Sequence, residues 1–318
     1  MLMENRTAVP PGLLGALIGE GLGTFLLVSL GIGSVATAVL TGALQGLGEV
    51  AAVWVMGVTL AIFVTRPLSG AHLNPAVTLA FAVLRDFPLR RIAPYWLAQL
   101  AGATLAGVMN LVVFGPFLAR FEQVEGLRRG APGSERAAMI FGEYFPNPAI
   151  FGTGDQAAGL MSPLHAMGVE AIGTGILVLV IFALTDTQKT DVPPWLAPPL
   201  IGLTVGALIM MFAPLTQAGW NPARDLGPRL VAGLPASGAW RSQGLRAGSG
   251  STSRARLQVD WWAGSFMSAG SADLGLCPTT NRRTRWRRID RRCCSCAFTT
   301  PGGPRWRRRS RASWGETA

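Results

Sequence analysis

Apolar residues are concentrated in five long runs along the chain. Each run is near or above the roughly 20 residues that a helix needs to cross a bilayer, and charge inside the runs is almost confined to Glu20 and Glu170. Charged residues make up only 14% of the chain, which is low for a soluble domain. The pattern predicts five membrane-spanning helices, at residues 13–40, 50–68, 94–118, 164–184 and 196–215.

Two copies of Asn-Pro-Ala lie between these spans and predict additional helix starts. Asn is a preferred N-cap, and Pro suits the first helical position, where its missing N–H would be unpaired anyway. The first copy opens an apolar run over residues 76–85, which is about 15 Å long as a helix and reaches halfway across a bilayer core of about 30 Å. The second copy opens a helix from residue 223. The residues that form these starts are Asn74, Pro75, Asn221 and Pro222.

A third Asn-Pro-Ala, at residues 147–149, lies in a polar loop with no long helical pattern after it. We interpret it as a turn, with a fold over the mouth of a pore as the alternative. The bare tripeptide therefore carries little information without the helix that follows it.

The two halves of the chain repeat each other. Residues 19–24 (GEGLGT) return as residues 169–174 (VEAIGT), and three crossings separate the two copies. Because that number is odd, the second copy enters the membrane with the opposite orientation. Inverted repeats place the N-termini of broken helices at a shared site near the bilayer midplane. We therefore expect Asn74 and Asn221 to face each other.

Residues 69–78 (SGAHLNPAVT) and 221–229 (NPARDLGPR) resemble the motifs of the major intrinsic proteins, the aquaporins and glycerol facilitators. The resemblance covers roughly residues 10–235. It implies an all-α membrane protein, an aquaporin-like inverted repeat with two membrane half-helices. It also implies a passive channel for glycerol, water and similar small neutral solutes rather than an enzyme, and a homotetramer in the plasma or inner membrane. A water-selective channel is the alternative.

The resemblance assigns a selectivity filter. Arg224 follows the second Asn-Pro-Ala, where the family has its filter arginine, and charged side chains at membrane depth normally face polar cavities. A structural ion pair with Asp225 or a loop carboxylate is the alternative. Asp225 and Arg229 together are typical of glycerol-conducting members, although the pair could simply hold a loop. Trp54 matches the aromatic wall of those members.

Two filter positions depart from the glycerol pattern. Ile209 stands where the family has a small residue, and Ala218 stands where glycerol-conducting members have a second aromatic side chain. Trp220 is a possible replacement for that ring. The size cutoff of the pore therefore stays open at this point.

Buried polar residues near the repeats have structural interpretations. Glu20 and Glu170 could form a proton relay, but their equivalent repeat positions favour a role as acceptors of backbone N–H groups in the half-helix loops. His72 is a candidate for the cytoplasmic part of the pore. With two His in the chain and no Cys before residue 277, we expect no metal site, no cofactor and no catalytic constellation.

Charge in the short loops predicts the orientation. Arg85, Arg90 and Arg91 lie together after the first half-helix, and such clusters are typical of the cytoplasmic side. The N-terminus is then cytoplasmic too. We divide the chain into a first channel repeat, an extracellular connecting loop, a second channel repeat and a tail, at residues 1–118, 119–163, 164–240 and 241–318.

The tail differs from the rest of the chain. Residues 1–240 carry 12 Lys and Arg against 13 Asp and Glu, whereas residues 241–318 carry 16 Arg, four acidic residues and all four Cys. The family's sixth span is expected here, and no adequate apolar run is present. The tail lacks the two spaced Cys pairs that a metal-binding module needs, which disfavours such a module. A basic segment that binds anionic lipid or nucleic acid is an alternative. We favour a reading-frame shift near residue 241. A non-conducting family member with a basic interaction tail is therefore a further alternative to the channel, and no specific nucleic-acid partner is expected.

Overall fold

The computed structural model describes residues 12–186 and 191–232. Within these ranges the chain is helical, with no strand and with one 3-10 turn at Leu89–Arg91. The predictions for the sixth span and the tail lie outside the described residues. The helices are α1 (Leu13–Thr41), α2 (Leu47–Ser69), α3 (Pro75–Leu84), α4 (Ile92–Val124), α5 (Glu135–Ala138), α6 (Pro148–Phe151), α7 (Asp155–Leu160), α8 (Pro163–Thr185), α9 (Ala197–Thr216) and α10 (Pro222–Ala232).

Five helices in the described part of the chain are long and apolar enough to cross a membrane, namely α1, α2, α4, α8 and α9. They coincide with the five predicted spans, so the prediction of five spans is confirmed. The third span is longer than the predicted residues 94–118, because α4 continues to Val124. Its last turns are polar, and Glu122 there pairs with Arg129 at 2.5 Å. Apolar pattern alone therefore located the span and missed its polar end.

The two half-helices have the predicted capped starts. The Asn74 side chain accepts a hydrogen bond from the Ala76 N–H at 2.8 Å, and the Asn221 side chain accepts one from the Ala223 N–H at 3.1 Å. A Pro occupies the first helical position of both α3 and α10. With ten and eleven residues, each helix is about 15 Å long and reaches about halfway across the bilayer core.

The N-termini of α3 and α10 meet through a reciprocal pair of hydrogen bonds. The Asn74 side-chain amide donates to the Trp220 carbonyl at 2.9 Å, and the Asn221 amide donates to the Leu73 carbonyl at 2.8 Å. Each Asn therefore caps its own helix and holds the loop that leads into the other one. The structure thus brings the two repeats together at their Asn residues.

A glycine on a long helix makes room for the residue that precedes each Asn. A Cβ atom on Gly23 of α1 would overlap the Leu73 side chain, and a Cβ atom on Gly173 of α8 would overlap the Trp220 indole. These glycines occupy the same position in the two repeated sequences. The small residue lets each loop approach the long helix closely, as is common at helix contacts in membranes.

We expect Gly173→Ala to destabilise the protein by about 1–3 kcal/mol, because overpacking against a buried indole forces neighbouring groups to shift. Thermal unfolding of the purified protein in detergent measures this as a lower Tm. Gly175→Ala on the same helix is the matched control, since a Cβ atom at Gly175 has no neighbour within 4 Å. Equal Tm values for the two variants would contradict the packing argument.

Candidate functional site

A cavity of about 420 Å³ is lined by residues from α2 and α9 over most of the length of both helices. The α2 residues on its wall recur at every turn and span 19 positions, which is about 28 Å along a helix and close to the thickness of a bilayer core. The cavity is therefore long enough to connect the two membrane surfaces. Its α2 wall is formed by Leu47, Val50, Trp54, Val58, Ile62 and Arg66, and its α9 wall by Ala197, Ile201, Val205, Ile209 and Ala213.

The loops that precede the half-helices supply a polar strip on this mostly apolar wall. Both loops contain non-glycine residues with left-handed backbone, at Leu73 (φ 53°) and Ala218 (φ 66°) among others. Non-helical backbone at membrane depth is tolerated where it lines a cavity. Asn74 and Asn221 also line the cavity, and each amide nitrogen has a second N–H besides the one donated to the opposite loop.

The predicted filter residues lie on the wall of this one cavity. Arg224 is only 4% exposed, and its guanidinium carbon lies 4.9 Å from the centre of the Trp54 ring. Ile209 and Ala218 also contribute to the wall, as does His72 from the loop before α3. Seven predicted pore residues therefore share a single cavity: Trp54, His72, Asn74, Ile209, Ala218, Asn221 and Arg224.

Arg224 also has a carboxylate partner that sequence reasoning did not name. Its Nη1 atom lies 2.9 Å from Oε1 of Glu143, and both side chains are buried. Neither of these two atoms has a hydrogen-bond partner within the described residues. The contact is therefore an ion pair without hydrogen-bond geometry. The two alternatives for Arg224 are thus compatible, since it lines the cavity and is paired with a loop carboxylate.

Asp225 does not line the cavity, in contrast to Arg224 beside it. Its carboxylate accepts from Arg229 Nε at 2.8 Å and from the Glu143 backbone N–H at 2.7 Å. Arg229 in turn donates to the Glu143 carbonyl and lies over the Tyr144 ring, 4.8 Å from its centre. Asp225 and Arg229 together fasten a loop to α10, and neither is placed to touch a solute.

The Trp220 indole packs against α8 rather than replacing the aromatic ring that is missing at Ala218. It lies over Gly173, is 4% exposed, and meets Phe212 edge to face at 6.2 Å. The sequence could not tell which way this side chain points. Trp220 and Ala218 both contribute to the cavity wall, although the indole packs against α8.

Two buried carboxylates hold the half-helix loops from behind. Glu20 accepts from the backbone N–H groups of His72 and Leu73, at 2.9 and 2.7 Å, and from the side chain of Gln99. Glu170 accepts from the backbone N–H of Gly219 at 3.1 Å. These carboxylates lie at equivalent positions of the two repeats and bond to equivalent loops.

His72 is part of an aromatic cluster at the other end of the cavity from Arg224. Its ring stacks on Phe81 at 4.6 Å and contacts Phe87 and Tyr95. Its Nδ1 atom lies 3.2 Å from the Thr78 hydroxyl. The imidazole is thus held in one orientation by α3, α4 and the connection between them.

The third Asn-Pro-Ala belongs to a segment that folds over the cavity, residues 139–149, which we name the mouth loop. Asn147 caps the short helix α6, and its side-chain amide donates to the Ala213 carbonyl at 2.9 Å. Met139, Asn147 and Ala149 line the cavity. The tripeptide forms a turn, the single helical turn of α6, and the segment that contains it also lies over the cavity, as the alternative expected. The Asn-Pro start was the one signal for it in the sequence.

Comparison with known proteins agrees with the geometry. The model of the family described as Major intrinsic protein matches residues 8–243. The chain belongs to the major intrinsic protein family. It is therefore a multi-pass membrane protein of a channel family rather than of an enzyme family.

Relatives of this major intrinsic protein include bacterial facilitators. It is 39% identical over 226 residues to a glycerol uptake facilitator of Pseudomonas aeruginosa, covering 71% of this chain and 77% of the relative. It is 37% identical to a propanediol uptake facilitator of Citrobacter freundii, covering 68% and 76%. Among solved structures, the aquaglyceroporin from Plasmodium falciparum matches with a TM-score of 0.58 and 29% identity, covering 70% of this chain and 81% of that one.

The buried loop carboxyl gives this channel protein a pH-dependent element. Burial raises the pKa of the Glu143 carboxyl well above its ordinary value of 4.5, although the Arg224 guanidinium opposes the shift. Folding therefore shifts the Glu143 carboxyl toward its neutral form relative to the unfolded chain, and the ion pair with Arg224 belongs to the charged form reached above the raised pKa. The stability that this group contributes is present below the ordinary pKa. That stability is lost as pH rises through the raised pKa.

We expect the Tm of the wild-type protein to fall with rising pH relative to that of Glu143→Gln, whose amide stays neutral. The measurement is thermal unfolding of both proteins in detergent from about pH 4 upward, the range that begins at the ordinary glutamate pKa. Other titrating groups affect both proteins alike and cancel in the difference. Parallel Tm profiles would show that the Glu143 carboxyl does not titrate in this range.

Proposed function

We propose that this major intrinsic protein is a passive channel for glycerol and similar small neutral solutes, with water. The observation that carries the proposal is the cavity along α2 and α9, whose α2 wall extends for about one bilayer thickness. A cavity of that length provides a route for solute without a conformational cycle. The names of the facilitators from Pseudomonas and Citrobacter, for glycerol and propanediol, support the choice of solute.

The wall is suited to a short polyol because it is amphipathic. Trp54 and Ile209 present apolar surface, which accommodates the carbon backbone of the solute. Arg224 and the amides of Asn74 and Asn221 present hydrogen-bond donors to the same space, which suit hydroxyl oxygens. A solute with carbon on one side and hydroxyls on the other can exchange its water for these donors as it passes.

Ions are excluded by the same residues. The fixed charge of Arg224 repels cations, and the N-terminal ends of α3 and α10 carry partial positive charge toward the middle of the cavity. An Arg and half-helix dipoles form this barrier in aquaporin-type pores generally. An ion would also lose hydration without gaining a matched set of ligands from the apolar wall.

The remaining predicted residues are assigned supporting roles. His72 lines the pore next to α3, and Asp225 holds the mouth loop rather than solute. Glu20 and Glu170 support the loops before the half-helices. Pro75 and Pro222 begin the half-helices themselves.

In liposomes, the purified chain is expected to conduct glycerol above the rate of empty liposomes, measured as swelling in a glycerol gradient. Trp54→Ala should let longer linear polyols enter. The preference of the channel for glycerol over these polyols should fall by roughly tenfold, which is the size of effect that one hydrophobic wall contact gives. Leu60→Ala is the matched control, because Leu60 lies on the same helix, is 53% exposed and does not line the cavity.

The same assay separates the alternatives. Water flux without glycerol flux would identify a water-selective channel. No flux of either above empty liposomes would identify a non-conducting family member and would overturn the proposal. Equal polyol discrimination in wild type and Trp54→Ala would remove Trp54 from the filter while leaving the channel in place.

We further propose that the protein is a homotetramer in the plasma or inner membrane and that its N-terminus is cytoplasmic. We also propose that the first repeat, the connecting loop and the second repeat end at residues 118, 163 and 240, and that the tail follows. The orientation rests on Arg85, Arg90 and Arg91, which lie on the connection after α3. The tetramer rests on resemblance to the family.

We expect an alkaline phosphatase fused after residue 130, in the long loop, to be active in cells and one fused after residue 87 to be inactive, because the enzyme matures only outside the cytoplasm. The opposite pattern would reverse the orientation. Light scattering of the detergent-purified chain measures the protein mass of the complex, and a monomeric mass would contradict the tetramer.

A further inference from the structure

Gln217 is the residue at which α9 ends and the loop before α10 begins. Its backbone is left-handed (φ 59°), and its N–H donates to the Ala213 carbonyl at 3.0 Å. A side chain in this conformation costs roughly 1 kcal/mol, and glycine is the residue that adopts it without cost. The presence of Gln here therefore calls for a compensating interaction of its side chain.

The Gln217 side chain makes that interaction with the mouth loop. Its Oε1 atom accepts from the Tyr144 backbone N–H at 2.8 Å, and its Nε2 atom donates to the Met139 carbonyl at 3.2 Å. The Gln217 residue is 9% exposed; its bond to the Met139 carbonyl is buried, and its bond to the Tyr144 N–H is partly buried. One side chain thus joins two backbone groups of the mouth loop that are five residues apart.

Glu143 lies between those two attachment points. Its carboxylate meets the Arg224 guanidinium at 2.9 Å, and Arg224 lies against the Trp54 ring. Holding Met139 and Tyr144 therefore fixes the backbone from which Glu143 reaches the filter. Gln217 itself lines the cavity, and its connection to Arg224 passes through this carboxylate.

The other attachments of the mouth loop do not hold both Met139 and Tyr144, as Gln217 does. Asn147 binds the Ala213 carbonyl on the far side of Tyr144. From α10, Asp225 binds the Glu143 N–H and Arg229 binds the Glu143 carbonyl. None of these three residues binds Met139, which itself lines the cavity. Gln217 is the residue of the described part of the chain that closes both ends of the segment with one side chain.

We propose that Gln217 is a positioning residue of the selectivity filter, which holds the mouth loop so that Glu143 keeps Arg224 in place against Trp54. The inference rests on the proposed channel function and adds to it a specificity role for a cavity-lining residue that was not among the predicted filter residues. Without the Gln217 amide, the mouth loop and Arg224 gain mobility, and the cavity widens toward larger solutes.

The test uses Gln217→Gly in the full chain, reconstituted in liposomes. Glycine suits the left-handed backbone, so the variant is expected to fold. It loses the two side-chain bonds and also the part of the cavity wall that Gln217 forms, and the double-mutant cycle with Glu143→Gln separates these two effects. The flux of a five-carbon linear polyol relative to that of glycerol is expected to rise about threefold, the change that corresponds to roughly 0.6 kcal/mol in the barrier. A purely structural role would lower the yield or the Tm without changing this ratio.

Asp86→Gly is the matched control for the backbone change. Asp86 also has positive φ (57°), is exposed, and lies away from the cavity wall. Its replacement relieves the same backbone conformation without removing a contact to the mouth loop. The flux ratio of Asp86→Gly is expected to equal that of wild type.

A double-mutant cycle with Glu143→Gln tests whether Gln217 acts through Glu143. If it does, adding Gln217→Gly to Glu143→Gln changes the flux ratio little further, because the link to Arg224 is already broken. Fully additive effects, or an unchanged ratio in Gln217→Gly while the wild type conducts, would overturn this inference alone. Absence of solute flux in the wild type would overturn the proposed function and this inference with it.

Discussion

The structure depends on the reciprocal hydrogen bonds between the two Asn-Pro-Ala loops. Asn74 and Asn221 each cap one half-helix and donate to the carbonyl before the other, at 2.9 and 2.8 Å. Inside a bilayer an unpaired backbone group costs several kcal/mol, so a chain that stops and restarts its helices there must satisfy every loop group. One amide per repeat meets this requirement and joins the repeats at the same time.

The supporting carboxylates explain why the pore wall is polar on one side only. Glu20 takes the N–H groups of His72 and Leu73, and Glu170 takes that of Gly219, on the side of each loop that faces the long helices. These backbone N–H groups are therefore already hydrogen-bonded to the two carboxylates. Asn74 and Asn221, each with a spare amide N–H, line the cavity together with the mostly apolar residues of α2 and α9.

Features with a local or repeated signal could be predicted from the sequence, and distant contacts without such a signal could not. The repeat predicted that Asn74 and Asn221 meet and that Glu20 and Glu170 bind the half-helix loops. Length and apolar content locate the five spans, and Asn-Pro locates the half-helix starts, because both signals lie within the element itself. The mouth loop depends on bonds such as Gln217 to Met139 and Asn147 to Ala213, which join residues 78 and 66 positions apart. Nothing near Glu143 in the sequence indicates Arg224 as its partner, and nothing near Trp220 indicates Gly173.

The inverted repeat also shows where selectivity can arise. Val77 and Arg224 occupy equivalent positions, three after the Asn, and both line the cavity, whereas Thr78 and Asp225 follow them and are buried behind it. Thr78 bonds to neutral partners, while Asp225 bonds to Arg229 and to the mouth loop. The backbone geometry is therefore shared by both half-helices, and the charge at their third residue is confined to the second. The two halves meet at the cavity wall, where Arg224 of the second half lies against the Trp54 ring of the first.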